Sequence, residues 1–405
     1  MSKPFRLRVM CLALAWLTAG PRPALSAEDD KPWVAPGFTD LELDHAGPFV
    51  TLDDGSLLQF ATTGPFGSFT PSVLRVSTDR GKTWSEGTPI LRDGPAPATL
   101  VDLALRTSDG TLVVIYCDYQ NEKWNWDEER GEATIAQLDT WSARSLDNGK
   151  TWIDRQLISP GWNGAPIDII ETAEGAIVTP VMLLIEDPGR HRHGFRNFVS
   201  TDQGQTWRKG NIIDLGGAGH HDGAIEPTLA QLRDGRIWVL IRTNLGRFWS
   251  AWSEDGGLNL REMAPSPIEA SSSPAFLKRL ASGRLLLVWN PAQPPDGTPP
   301  PMHGGLERPG EAQYSETEVS WYREGAYIAL SDDDGQTWSQ PLLFVEHKGR
   351  RVSYPYVFEP WPGEIWVWLR QSGNPGETSS LTVSVMERDL ARMVGMAPEE
   401  AETEQ

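Results

Sequence analysis

Side chains able to do chemistry recur at matching places along this chain. Glu226 precedes Pro227 and Tyr354 precedes Pro355, and each proline stands eight residues ahead of a turn glycine, Gly235 or Gly363. Seven residues past those glycines come Arg242 and Arg370, which close runs rich in Ile, Val, Leu and Trp. A carboxylate and a phenol within reach can exchange a proton, and guanidinium groups hold anions through paired, charge-assisted hydrogen bonds. Arg242, ending an apolar run, is read as functional, whereas Arg370 could equally form an ion pair with a carboxylate. Four of the seven histidines fall on two stretches, His191 and His193, then His220 and His221 followed by Asp222. Such a set could bind zinc or manganese. Contact with substrate or solvent is the preferred reading, so no metal and no cofactor is assigned. A histidine there could also take a proton beside a uronate carboxylate neutralised by arginine, as a lyase requires.

What positions these residues is a repeat. Ser77-Thr-Asp79-Arg-Gly81-Lys-Thr83-Trp84 returns with its spacing intact at Ser145–Trp152, Ser200–Trp207 and Ser331–Trp338. A reduced copy runs from Ser253 through Asp255 and Gly257, with Asn259 and Leu260 in the Thr and Trp places. This is the chemistry of a tied turn: the Asp carboxylate accepts backbone N–H groups, the Gly takes positive φ and the Trp packs between strands. Turn glycines at Gly55, Gly110, Gly175, Gly235, Gly283 and Gly363 precede strand-like runs, and in five of the six units a proline opens the strand before. Each unit therefore reads as four antiparallel strands, and six units predict an all-β, six-bladed β-propeller. A row of two-sheet sandwiches is the alternative. The last unit lacks the terminal motif, so its third strand is placed at Leu381–Met386, and a segment near Phe38–Asp44 is expected to supply the fourth and close the ring.

In a propeller the innermost strands begin beside the axis, at one mouth of the ring. The residues just before the inner-strand prolines (Gly47, Ala165, Glu226, Ser273 and Tyr354) thus face one cleft, with Asp102 nearest that place in the second unit. Its register is off by about one residue, which in a strand turns a side chain to the other face. Asp102 is accordingly either catalytic or a strand-start hydrogen bonder.

The eight-residue repeat resembles the Asp-box of sialidases (neuraminidases), which carries their propeller fold but not their activity. Glu226-Pro-Thr-Leu-Ala-Gln-Leu-Arg-Asp-Gly-Arg-Ile-Trp-Val-Leu-Ile-Arg242 is similar to the sialidase segment holding a glutamate and a substrate-binding arginine. Trp321-Tyr-Arg323 looks like the segment with another such arginine, and Ser353-Tyr354-Pro355 like the one with the nucleophilic tyrosine. The resemblance implies Tyr354 as nucleophile, Glu226 as its base, Asp102 as acid/base, and Arg242 and Arg323 as clamps on a substrate carboxylate. A neutral phenol suits this role because it avoids repulsion from that carboxylate during attack. The implied activity is an exo-glycosidase acting on a terminal acidic sugar, sialic acid or a related sugar acid. A lyase or hydrolase on uronate glycans and a non-catalytic carbohydrate-binding propeller are the alternatives. One family feature is absent: the first-blade arginine is replaced by Ala46-Gly47-Pro48, a loss that Arg370 could make good. His220 and His221 join the substrate-binding candidates.

Two long insertions are expected to rim the cleft. Residues 121–139 carry Trp124 and Trp126, which could stack on sugars or pack on the blade, and residues 291–320 read as a lid or partner loop. The chain's 36 basic and 55 acidic residues give a net charge of −19, which argues against a nucleic-acid partner. Residues 1–26 read as a secretory signal peptide, with Lys3, Arg6 and Arg8 ahead of a short apolar run, so the product is expected to be secreted or periplasmic. Its removal would leave 32 basic residues against 55 and a charge of −23, with Cys117 as the sole cysteine and hence no internal disulfide. A focused basic cleft can still attract an acidic glycan or small sugar. No later stretch is apolar enough for a membrane span. The expected organisation is a single propeller over residues 33–395 and an acidic tail at 396–405.

Overall fold

The computed structural model describes residues 31–62, 70–127, 129–164, 166–305, 315–373 and 378–396. The expected signal peptide, the tail beyond Met396 and Ala165 lie outside the described residues.

Six antiparallel sheets follow one another along the chain. Their inner strands are Phe49–Thr51, Leu103–Arg106, Ile170–Glu171, Ile225–Gln231, Phe276–Arg279 and Arg351–Trp361. Residues of all six border one central channel of about 660 Å³, so the sheets are the blades of a six-bladed β-propeller. The second strands, such as Leu112–Cys117, Ile237–Arg242 and Leu285–Trp289, are buried at every position. Continuous apolar runs form strands there because a neighbouring blade covers each face of the sheet. Between the first two blades, Leu58, Phe60 and Leu74 meet Leu112, Val114 and Tyr116. Between the fourth and fifth, Trp238 and Leu240 meet Leu285 and Leu287.

The tied turns have the expected geometry. Asp79 accepts Thr83 N at 2.9 Å and Thr83 Oγ1 at 2.6 Å, while Ser77 Oγ accepts Gly81 N at 2.8 Å. The reduced copy is chemically intact, since Asn259 donates its backbone N–H and its side-chain amide to Asp255, each at 2.8 Å. The turn glycine has a second duty. A Cβ at Gly335 would lie 2.6 Å from the Trp238 ring of the blade before it, and one at Gly81 would lie 2.7 Å from Trp366. The motif tryptophans likewise reach backwards: the Trp152 ring packs on Phe60, and Trp207 Nε1 donates to Ser142 Oγ at 3.0 Å. The rim motif thus joins blades as well as turning chain.

The ring closes as expected. Thr39–Asp40 pairs with Ser384 and Val383 of the last blade's third strand, Thr378–Met386. Phe49 then packs across the seam on Phe358 and Trp366. The sequence did not anticipate that Trp33–Val34 adds a fifth strand to the fifth blade, or that a short helix, Glu387–Met393, buries Leu390 and Ala391 against the last two blades. Among the described residues no helix is long and apolar enough to cross a membrane.

Candidate active site

The two pre-proline residues are held out of their strands by bulges. In the fourth blade Ile225 pairs with Arg242 and the ladder resumes only at Thr228; in the sixth, Ser353 pairs with Arg370 and it resumes at Tyr356. Glu226-Pro227 and Tyr354-Pro355 are the residues left over, since proline has no N–H for the ladder and a bulge re-aims what it carries. Glu226 and Tyr354 have φ of 41° and 56°, a region that side-chain-bearing residues rarely occupy and that marks strain at functional sites.

The bulges bring the two side chains together. The Tyr354 hydroxyl donates to Glu226 Oε1 at 3.0 Å, and Arg242 Nη1 donates to the other carboxylate oxygen. Arg242 also donates from Nε and Nη2 to Ser272 Oγ at 3.2 and 3.1 Å, and Arg323 Nη2 donates to the Ser272 carbonyl. Arg242, Glu226 and Arg323 are 1, 7 and 5% exposed, whereas Tyr354 is half-buried. The Arg323 guanidinium lies 4.0 Å from the Trp321 ring centre and 5.8 Å from that of Tyr354, and the exposed Arg370 lies 5.9 Å from the Tyr354 ring centre.

The electrostatics of the two buried arginines differ. Burial works against the Arg242 charge, but the adjoining Glu226 carboxylate together with Tyr354 more than offsets it and holds its pKa above the ordinary value. Arg323 has no carboxylate partner among the described residues, and its Nε makes no hydrogen bond. Burial, reinforced by the charge of Arg242, pulls its pKa down to about 9. Burial and the Glu226 charge together raise the Tyr354 phenol, so its proton stays in place in the resting site. No first-blade arginine joins this group among the described residues; Arg75 turns to Gln59 and the Ser85 carbonyl.

Matching positions pair in other blades too. Ser273 Oγ donates to Asn290 Oδ1 at 2.7 Å, and Asp102 Oδ2 accepts Cys117 N at 2.8 Å while its Oδ1 accepts the Tyr119 hydroxyl at 2.8 Å. These bonds seat Asp102 at the head of the second blade, and none of them reaches the Glu226–Tyr354 pair. Burial outweighs them and raises the Asp102 carboxyl to about 7. An unfolded carboxyl of ordinary pKa, about 3.9, sheds its proton while the folded one keeps it. The unfolded state therefore binds fewer protons between about pH 4 and 7, and stability falls as pH rises through that window. Relative to wild type, Asp102→Asn is expected to gain urea midpoint steadily from pH 4 to 7 and no further above. Parallel curves at every pH would show instead that the carboxyl titrates normally.

The histidines separate by role. His191 Nδ1 accepts Ala133 N at 2.9 Å and steadies the hairpin formed by Lys123–Asp127 and Glu132–Gln137. His193, His220 and His221 cluster, with ring centres 5.7 and 4.6 Å apart. Burial first, then neighbouring positive charge, lowers His220 to about 3 and His221 well below its ordinary value, and burial lowers His193 to about 4. All three are neutral imidazoles near pH 7. Asp222 serves structure: its carboxylate accepts Ala218 N, Glu316 N and the Asn244 amide, so Glu316, towards the end of the long insertion, is clasped to the fourth blade's loops. Among the described residues no three His, Cys, Asp or Glu side chains are arranged to hold a metal ion.

Ser272, Trp321 and His303 belong to this region, but none was read as a site residue from the sequence, where Trp321 entered only as the head of the Arg323 segment. The Ser271-Ser272-Ser273 run before Pro274 was a usable signal for the first. The other two arrive from the long insertion and its end, where no repeat sets the register.

A family model described as a BNR repeat-like domain matches residues 73–366. A sialidase of Paraclostridium sordellii is 23% identical over 208 residues, covering 46% of this chain and 49% of its own length. One of Clostridium perfringens is 23% identical over 234 residues, covering 51% and 60%. The chain thus aligns with only about half the length of these curated relatives. The crystal structure of a K499G mutant of the NanB sialidase of Streptococcus pneumoniae superposes with a TM-score of 0.54 at 12% identity, covering 89% of this chain and 69% of that one.

Proposed function

Because the chain belongs to the BNR repeat-like domain family, we propose that it is an exported exo-glycosidase that removes a terminal acidic sugar, sialic acid or a related sugar acid, from glycans. The observation that carries this reading is Arg323, a buried cation without a carboxylate partner among the described residues, set against Tyr354 and beside Arg242. Burying an uncompensated charge is costly, and a substrate carboxylate supplies the missing partner. Arg370, whose guanidinium lies 5.9 Å from the Tyr354 ring centre, is assigned a third contact.

In this proposal the Tyr354 oxygen attacks the anomeric carbon as its proton passes to Glu226, to which it is already hydrogen-bonded. The bond to the leaving oxygen breaks, and that oxygen takes a proton from Asp102, whose raised pKa keeps it protonated under mildly acidic conditions. Water then attacks the glycosyl–tyrosine bond, giving one proton to Asp102, while Glu226 returns its own to the phenolate. Arg242 holds Glu226 in position throughout.

Aryl glycosides of N-acetylneuraminic acid, 3-deoxy-octulosonic acid and glucuronic acid test the reading. Wild type is expected to release the aryl group from a 2-keto acid glycoside. Arg323→Met is expected to release none and to lose ligand-induced thermal stabilisation, while its own stability rises by about 1 kcal/mol because an unpaired buried charge is gone. No release by wild type from any of the three would reject the proposal, as would an Arg323→Met protein that remains active. The neutral His193, His220 and His221 near Arg242 favour one second reading, a lyase on uronate glycans; ultraviolet absorbance from a new unsaturated product would distinguish it. Export is tested by sequencing the N-terminus of protein recovered outside the cytoplasm, expected to begin at Ala27.

A further inference from the structure

We propose that Asn290 is a positioning residue for the reaction, whose side-chain amide fixes the strand that carries Tyr354 against the segment that carries Arg323. This rests on the reading of Tyr354 as nucleophile and Arg323 as carboxylate clamp.

Asn290 lies seven residues past Gly283, the place that Arg242 and Arg370 take in the fourth and sixth blades. It follows the buried strand Leu285–Trp289 and is 1% exposed. Its Nδ2 donates to the Gly325 carbonyl and to the Val352 carbonyl, each at 2.8 Å, and its Oδ1 accepts Ser273 Oγ at 2.7 Å. These partners stand two residues after Arg323, two residues before Tyr354 and next to Ser272. One amide thus touches the three stretches of chain that present the clamp, the nucleophile and the serine beside both arginines.

The connections close on themselves. Val352 N donates to the Arg323 carbonyl at 2.6 Å, so both backbone polar groups of Val352 engage the fifth blade. Arg323 Nη2 donates in turn to the Ser272 carbonyl. Arg323 itself precedes the strand Gly325–Ser331, so no ladder holds it. On the other side of the seam, Ser353 pairs with Arg370 and the ladder then lapses until Tyr356. Clamp and nucleophile both sit outside regular pairing, and Asn290 holds a carbonyl close to each.

The residue type suits this task. Two carbonyl acceptors and one hydroxyl donor converge on a buried point, and a carboxamide meets all three from one planar group. A carboxylate, a single hydroxyl or a hydrocarbon lacks the two N–H donors. Buried carbonyls left without donors are costly, so the amide keeps its neighbours at one separation. The leverage is geometric, since a displacement of about 1 Å can lower a rate about a hundredfold. Ion pairing to a bound carboxylate tolerates such a shift better than attack by the phenolic oxygen does.

Turnover of the aryl glycoside of N-acetylneuraminic acid by the full chain, with kcat expressed per folded molecule, tests this. Asn290→Ala is expected to lower kcat about a hundredfold while KM and affinity for free N-acetylneuraminic acid stay within about threefold. Ser273→Ala keeps the amide's two donations but cuts its tie to the Ser272 stretch, and is expected to lower kcat about fivefold. Asn197→Ala removes another wholly buried amide, in the third blade, which donates to the Gly257 carbonyl at 2.7 Å. It is expected to lower the urea midpoint and leave kcat unchanged. Should Asn290→Ala fail to fold, the Ser273→Ala value decides. The positioning role would be overturned, with the acidic-sugar site left standing, by an Asn290→Ala kcat within about threefold of wild type. A Ser273→Ala kcat equal to wild type, or an equal loss of kcat in Asn197→Ala, would do the same. No turnover by wild type would reject the acidic-sugar site and the positioning role with it.

Discussion

Arg242→Met is expected to destabilise the folded chain by about 3–5 kcal/mol, read as a lower urea midpoint, because it strands the Glu226 carboxylate. Glu226 is 7% exposed, and its Oε2 accepts from Arg242, so removing the guanidinium leaves a buried charge whose remaining partner is the Tyr354 hydroxyl. The long apolar stem of methionine refills the space, which limits the contribution of a cavity. Adding Glu226→Gln removes the stranded charge, and the double variant is expected to recover most of the loss. If Arg242→Met costs less than about 1 kcal/mol, the ion pair is not the element that sets Glu226 in place. The contrast with Arg323→Met is instructive. Both remove a buried arginine beside the same serine, yet one has a protein carboxylate and the other has none among the described residues. The two substitutions should therefore move stability in opposite directions.

Tyr354→Phe should reduce kcat on the order of a thousandfold or more while leaving the fold and ligand affinity nearly unchanged. The hydroxyl donates a hydrogen bond to Glu226, and losing it costs about 1 kcal/mol. The ring that Arg323 and Arg370 face remains in place. A selective loss of kcat at constant binding distinguishes a group that enters the reaction from one that only shapes the cleft. A variant with kcat within tenfold of wild type would remove Tyr354 from the mechanism, and Glu226 would then need another proton to accept.

Much of the fold could be read in the chain because it is written six times. The rim turns repeat with fixed spacing, the turn glycines set the second strands, and the missing last turn pointed to an N-terminal strand closing the ring, as Thr39–Asp40 does. Trp33–Val34 was not readable, since a two-residue edge strand carries no periodicity. The helix Glu387–Met393 had signals that could have been used: acidic residues in its first turn, Arg392 in its last and Gly395 beyond its end.

The site divides along the same line. Glu226, Tyr354 and Arg242 sit at repeat positions, so register alone sent them to one cleft. Arg323 lies outside that register, between an insertion and the strand Gly325–Ser331, and only the resemblance to sialidases singled it out. Ser272 bridges the two arginines through its hydroxyl and its carbonyl; its place beside the pre-proline Ser273 was visible in the chain, but that it meets both guanidiniums depends on three-dimensional proximity. The tryptophans of the insertions could be counted from the start, but whether they met one another was a matter of loop geometry.

The most direct test of the central claim, that Tyr354 is the nucleophile of a terminal acidic-sugar glycosidase, is to trap its glycosyl adduct. A 2,3-difluoro sialic acid forms the intermediate through departure of fluoride, and its remaining fluorine destabilises the oxocarbenium-like transition state of the second step, so the adduct accumulates. Mass spectrometry of proteolysed protein is expected to place the added sugar acid on Tyr354 and to find none in Tyr354→Phe. An adduct on another residue, or none from protein that hydrolyses sialosides, would contradict it.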